Sequence, residues 1–134
     1  MFRVSREFEF SYGHRLLNYT GKCRHLHGHN GRVRITIETS GLNELGMVLD
    51  FGEIKRRIGQ WIDENLDHRL ILCRHDPLIP LLEAEGESIY HTEVNPTAEN
   101  LGKLIFDQSA ELDLPVVHVV FWESERCFAE YSGD

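Results

Sequence analysis

Three of the eight histidines and one of the three cysteines fall in the short stretch Cys23-Arg24-His25-Leu26-His27-Gly28-His29. Imidazole nitrogen is the commonest protein ligand for a divalent transition metal, and a thiolate is either a further ligand or a base and nucleophile beside one. In an extended chain, His27 and His29 point the same way with α-carbons roughly 7 Å apart, a gap two imidazoles can close onto one ion. His25 shares their parity, but it would stand roughly 13 Å from His29 in a regular strand. The third ligand is better sought elsewhere. His14 ends the alternating stretch Phe8, Phe10, Tyr12, His14, which reads as a neighbouring strand. Three histidines without a fourth protein ligand describe an open, catalytic zinc site rather than a closed structural one.

The elements that must position these groups can be read in order. Val4, Phe8, Phe10 and Tyr12 alternate with Ser5, Glu7, Glu9 and Ser11, the period of a half-buried strand, with Arg6 interrupting the apolar face and suggesting a bulge or an edge. After a loop over 17–22 and the histidine segment, a second strand runs over 31–39, with Val33, Ile35 and Ile37 on one face and Arg32, Arg34 and Glu38 on the other. Asp50, with Glu53 three residues on, opens a helix with Ile54, Ile58, Trp61 and Ile62 at helical spacing, ending near Asn65. Asp76-Pro77 opens a short helix that Gly86 stops, and Thr97 caps a third helix carrying Leu101, Leu104 and Ile105. Pro115 precedes the β-rich run 116–122, and a closing strand follows over 126–131. The expected fold class is α+β, order β-β-α-α-β-β, a four-stranded antiparallel sheet with helices on one face.

Composition bounds the function. At 134 residues the chain is expected to form a single domain over 1–134. No apolar run approaches the roughly 18 to 20 residues needed to cross a bilayer, and the N-terminus is not that of a signal peptide. Cysteines at 23, 73 and 127, an odd count without paired spacing, fit free thiols and a cytoplasmic location. The net charge of -8 argues against nucleic-acid or membrane partners. No acidic residue lies between Glu9 and Glu38, whereas Arg15, Lys22, Arg24, Arg32 and Arg34 do, which suggests a local positive field for an anionic substrate.

The set His14, Cys23-x-x-x-His27-Gly28-His29, the segment Gly46 to Phe51, Leu66-Asp67-His68, Pro96-Thr97-Ala98-Glu99-Asn100 and Glu123 resembles the 6-pyruvoyltetrahydropterin synthase family, which includes the bacterial 6-carboxytetrahydropterin synthases. The resemblance runs in order from about Phe8 to Tyr131. It implies the tunnelling fold, in which three subunits join their sheets into a barrel and two trimers stack into a homohexamer. It implies that His14, His27 and His29 hold Zn2+, that Cys23 is the base, and that Asp67 and His68, supplied by a neighbouring subunit, complete a proton relay. It assigns Glu123 to the pterin ring, with Thr97 beside it. The implied substrate is a small-molecule pterin triphosphate, 7,8-dihydroneopterin triphosphate, which loses triphosphate as its side chain rearranges. With Cys23 present and the chain short, the 6-carboxytetrahydropterin synthase reaction of 7-deazaguanine and queuosine biosynthesis is favoured over the 6-pyruvoyl reaction. A non-catalytic zinc protein that binds pterin is the remaining alternative. The chain departs from the family pattern at Tyr12-Gly13, where two small residues often precede the histidine, and at Ser124, where Thr is usual. The segment 71–94 also looks longer than in compact bacterial members.

Overall fold

The computed structural model describes residues 1–134. Its centre is a long antiparallel pair, β1 (Phe2–His14) and β2 (His27–Thr39), in unbroken register from Phe2 opposite Thr39 to His14 opposite His27. Alternation along both strands sorts their side chains onto two faces. One face buries Phe10, Tyr12, Val33, Ile35 and Ile37. The other presents cross-strand polar pairs: Ser5 and Thr36 share a hydroxyl hydrogen bond of 2.7 Å, Arg34 donates to Glu7 at 2.8 Å, and Ser11 donates to Asn30 at 2.8 Å. No bulge forms at Arg6. Its guanidinium lies over the Phe8 ring and donates to the Phe51 carbonyl, so the long side chain leaves the apolar face without disturbing the strand.

The sheet has six strands rather than four, in the order β4-β3-β1-β2-β5-β6. On one side β5 (Val116–Trp122) pairs antiparallel with β2, and β6 (Phe128–Tyr131) closes a hairpin onto β5. On the other side lie two strands that the sequence reading did not expect, flanking the short helix that it did. β3 (Arg69–Cys73) runs parallel to β1, and β4 (Ile89–Thr92) parallel to β3, so the sheet is mixed rather than antiparallel. Ile71, Leu72 and Cys73 are consecutively buried, as expected of a parallel strand covered on both faces.

The helices cover the apolar face. Residues 51–65 form one continuous helix, α1, with Phe51–Ile54 and Gln60–Asn65 in α form and Lys55–Gly59 as a π turn. Asp50 caps it by accepting from the Gly52 N–H at 2.7 Å, while Glu53 turns to Arg56 and Arg57 instead of closing a capping box. Ile54, Ile58, Ile62 and Leu66 form its buried stripe. Gly59 permits close packing there, since a Cβ would lie 2.7 Å from the Phe8 ring. The short α2 (Ile79–Ala84) starts after Asp76, whose carboxylate accepts from the Leu78 N–H, and Gly86 with φ 89° follows it. α3 (Ala98–Glu111) is capped by Thr97, which accepts from the Asn100 N–H at 3.1 Å, and it packs Leu101 and Ile105 against the β5 side of the sheet. The fold is therefore α+β, and no helix is long and apolar enough to cross a membrane.

Candidate metal centre

The β1–β2 register assembles the histidines. His14 stands directly opposite His27, and Tyr12 opposite His29, all on the core-facing side. One ligand nitrogen from each of His14, His27 and His29 lies within 4.8 Å of the others. The ring centroids are 4.6 to 5.0 Å apart. Each ring is prepared differently. His14 is 2% exposed, and its Nδ1 lies 2.7 Å from the Pro96 carbonyl. His27 places Nδ1 2.7 Å from the His25 carbonyl. A carbonyl only accepts, so both Nδ1 atoms carry the proton and both Nε2 atoms present a bare lone pair. His25 thus contributes its backbone while its ring stays exposed.

Burial pushes the His14 pKa down to about 4; the Pro96 hydrogen bond opposes this shift and the neighbouring imidazoles add to it. His29 is also lowered, first by burial, against the pull of Glu123. Neutral rings at pH 7 are the form that binds metal. The Nε2 atoms of His14 and His29 are buried without a hydrogen-bond partner. Orphaned lone pairs converging in this way fit a metal ion, and the carbonyls behind His14 and His27 are the supports that metal-binding imidazoles ordinarily use.

The loop after β1 folds back on this cluster. The Leu16 N–H donates to the Cys23 carbonyl at 2.9 Å, which holds the short 3-10 turn Lys22–Arg24 against the strand end. Asn95 clamps the same loop twice, accepting from the Leu17 N–H at 2.9 Å and donating to the Leu17 carbonyl at 3.0 Å. Asn100 donates to the Asn95 carbonyl, and Pro96 holds His14. The Pro-Thr-Ala-Glu-Asn segment is therefore a bracket joining α3 to the histidines.

His14, Cys23, Thr97 and Glu123 line one cavity of about 320 Å³. Thr97 is committed to its cap while facing this space. Cys127, to which the sequence reading gave no role beyond a free thiol, lines the same cavity with Glu99 and Tyr19. The β5–β6 hairpin brings it there, through the Glu123 N–H donating to the Cys127 carbonyl at 3.0 Å. All three cysteines are free thiols.

Asp67 and His68 do not line this cavity. They sit across β1, where the Asp67 carboxylate accepts from the Ser11 N–H at 3.0 Å and the His68 N–H donates to the Ser11 carbonyl at 2.7 Å. Asp67 lies 3.0 Å from His68 Nδ1, and the His68 side chain is 80% exposed. Partial burial works against ionisation of Asp67, but the hydrogen bonds from Ser11 and His68 outweigh it and hold the carboxyl below its usual value.

The basic stretch is less free than its sequence suggests. Arg32 and Arg34 pair with Glu7 and lie over Trp122 on the polar face, and Arg15 is spent on Asp76. Only Lys22 and Arg24 stay exposed without an acidic partner beside the cavity loop.

Three converging imidazoles could hold a metal ion, and a thiol and a carboxylate line the cavity that His14 borders. Residues 3–134 match the 6-pyruvoyl tetrahydropterin synthase family, and the chain belongs to that family. It is 39% identical to a 6-carboxy-5,6,7,8-tetrahydropterin synthase of Rickettsia bellii over 97% of this chain and 99% of that one. It is 33% identical to the enzyme of the same name from Aquifex aeolicus, over 98% of each. Among solved structures, an uncharacterized protein of Wolinella succinogenes superposes with a TM-score of 0.81 at 27% identity, over 99% of this chain and 98% of that one. The 6-pyruvoyl tetrahydropterin synthase of Caenorhabditis elegans shares the fold at a TM-score of 0.74 and 21% identity, over 99% of this chain and 96% of that one.

Proposed function

We propose that the chain is a zinc-dependent 6-carboxytetrahydropterin synthase, a lyase that converts 7,8-dihydroneopterin triphosphate and one water to 6-carboxytetrahydropterin, triphosphate and acetaldehyde, on the route to queuosine. The observation that carries this reading is the meeting of His14, with its bare Nε2, and of Cys23, Thr97 and Glu123 around one cavity. The names of the Rickettsia and Aquifex relatives support the choice of product.

In this reading His14, His27 and His29 would hold Zn2+, which would supply Lewis-acid polarisation to the substrate side-chain hydroxyls. Glu123 anchors the ring by offering two oxygens to the two N–H groups of a 2-amino-4-oxo pyrimidine edge, a match that excludes rings lacking them. Thr97 lies against the same ring and keeps the start of α3 in place. Cys23 takes the proton released from the side chain, and His68, oriented by Asp67, moves a proton on the opposite face. The His68 side chain is exposed and stands across β1 from Cys23, and in this reading the dyad serves the site of a neighbouring subunit. β4 and β6 each pair on one side only, and such edges call for partner strands. In this reading the assembly is a homohexamer of one-domain subunits, a dimer of trimers with joined sheets, working in the cytoplasm.

The test is to incubate zinc-loaded protein with 7,8-dihydroneopterin triphosphate, identify the pterin by mass spectrometry and assay acetaldehyde. A 6-carboxy product with acetaldehyde is expected. A 6-pyruvoyl product would reassign the enzyme to triphosphate elimination without carbon–carbon cleavage. Unchanged substrate with zinc verified in the sample would make it a non-catalytic pterin-binding zinc protein.

A further inference from the structure

Tyr12 stands between two residues of evident purpose, Phe10 in the core and His14 in the metal cluster. It is 4% exposed, and its hydroxyl is buried without a hydrogen-bond partner. Burying a phenol O–H unpaired is costly, so such an orphan calls for a partner that arrives in the working state. The strand register shows where the group leans. Tyr12 is opposite His29, and its ring passes over Gly31, where a Cβ would lie 2.9 Å from Tyr12 Cε1 and 3.3 Å from Phe121 Cζ. Arg32 pairs with Trp122 and Val33 with Phe121, so continuing that antiparallel register sets Gly31 opposite Glu123. A ring leaning from β1 across Gly31 therefore leans toward the strand position of Glu123. Its flanks touch the metal cluster, edge-on to His14 at 5.1 Å between centroids and tilted against His29 at 5.6 Å.

Of the polar atoms nearby, the unpartnered Nε2 atoms of His14 and His29 are the ones a metal would take. Glu123 is the acceptor left over. A carboxylate has about four lone-pair sites, and a pyrimidine edge uses two. Resting on the pterin reading above, we infer that Tyr12 is a positioning residue for Glu123: its O–H donates to one carboxylate oxygen when a 2-amino-4-oxo pyrimidine ring is bound, fixing the plane in which Glu123 meets that ring. Gly31 is the second part of the device, because any side chain there would push the phenol aside.

The test titrates zinc-loaded protein with pterin itself, followed by its fluorescence, in the wild type, Tyr12→Phe, Glu123→Gln, the double variant and Gly31→Ala, with zinc per chain measured for each. Tyr12→Phe keeps the ring and its packing, so a loss there reports the hydroxyl. It is expected to weaken pterin binding about tenfold with zinc content unchanged, and to add nothing on the Glu123→Gln background. Gly31→Ala, which displaces the ring, is expected to weaken binding similarly. Wild-type affinity in Tyr12→Phe, an equal loss in both backgrounds, or a loss of zinc would overturn the assignment to Glu123. If Glu123→Gln binds pterin as the wild type does, or the wild type does not bind it at all, the functional reading fails and takes this inference with it.

Discussion

The two histidine groups flanking β1 are held by opposite means. The triad is written into strand pairing: His14 faces His27 across the ladder, His14 is almost fully buried, and two Nδ1 atoms are tied to carbonyls. The Asp67–His68 pair is placed by a turn, with φ 57° at His68 and both residues hung on the backbone of Ser11. One group is locked into the strand pairing with His14 buried, the other stands in solvent. Lone pairs meant for a metal must be aligned and neutral before the ion arrives, which burial and carbonyl partners achieve. In the proposed reaction His68 is a proton carrier, and such a group can wait in solvent until a second surface closes over it.

The largest effect expected from breaking this contrast is in the triad. His27→Ala removes one of three converging ligands, and zinc should fall from about one per chain to a small fraction of that, by metal analysis of protein purified without chelator. Full zinc retention would mean that the ligand set is wrong.

The exposed side of the comparison predicts a different pattern. His68→Ala should leave zinc content intact and stability within about 0.5 kcal/mol, as for most exposed positions, yet lower turnover about 100-fold or more. Cys23→Ala should likewise keep its zinc and lose about 100- to 10,000-fold in turnover. Mixing the two inactive proteins sharpens the point. If each site takes Cys23 from one subunit and His68 from another, co-refolded oligomers should regain about a quarter of wild-type turnover, the share of sites that draw both intact halves. No recovery would place both groups of each site in one chain.

Much of this arrangement was legible before the fold was known, and the reasons are local. Strict alternation in 8–14 and 33–37 fixed which side chains share a face, and His14 followed from being the last residue on that face. Asp50 and Thr97 read correctly as caps because their oxygens act within three residues. The failures were long-range. Ile71 to Cys73 is a run buried on both faces, with no period by which to tell strand from loop, and β4 is only four residues long. Cys127 reaches the cavity through a hairpin whose partner strand lies against β2, and nothing near it in sequence announces that. Arg15 looked like part of an anion-binding field because its carboxylate, Asp76, is 61 residues away.

That pair supports the smallest effect and the one with a defined pH course. Asp76 is 3% exposed and accepts from Arg15 Nε at 2.7 Å and from the Leu78 N–H at 2.9 Å. Burial alone would raise its pKa, but the Arg15 side chain, the Leu78 N–H and the Arg15 charge outweigh it and hold the carboxyl below its ordinary value. A carboxyl whose folded pKa lies below its unfolded one, near 3.9, contributes stability that is fully present above about pH 4 and is lost as pH falls through the folded value. Asp76→Asn is therefore expected to destabilise the protein by about 2 kcal/mol at pH 7 in urea unfolding, with the gap to wild type narrowing below about pH 4. Both proteins share the same histidine triad, so acid loss of any metal held there affects them alike and cancels in the difference. A gap that stayed constant down to pH 3 would show that Asp76 acts through packing rather than through its charge on Arg15.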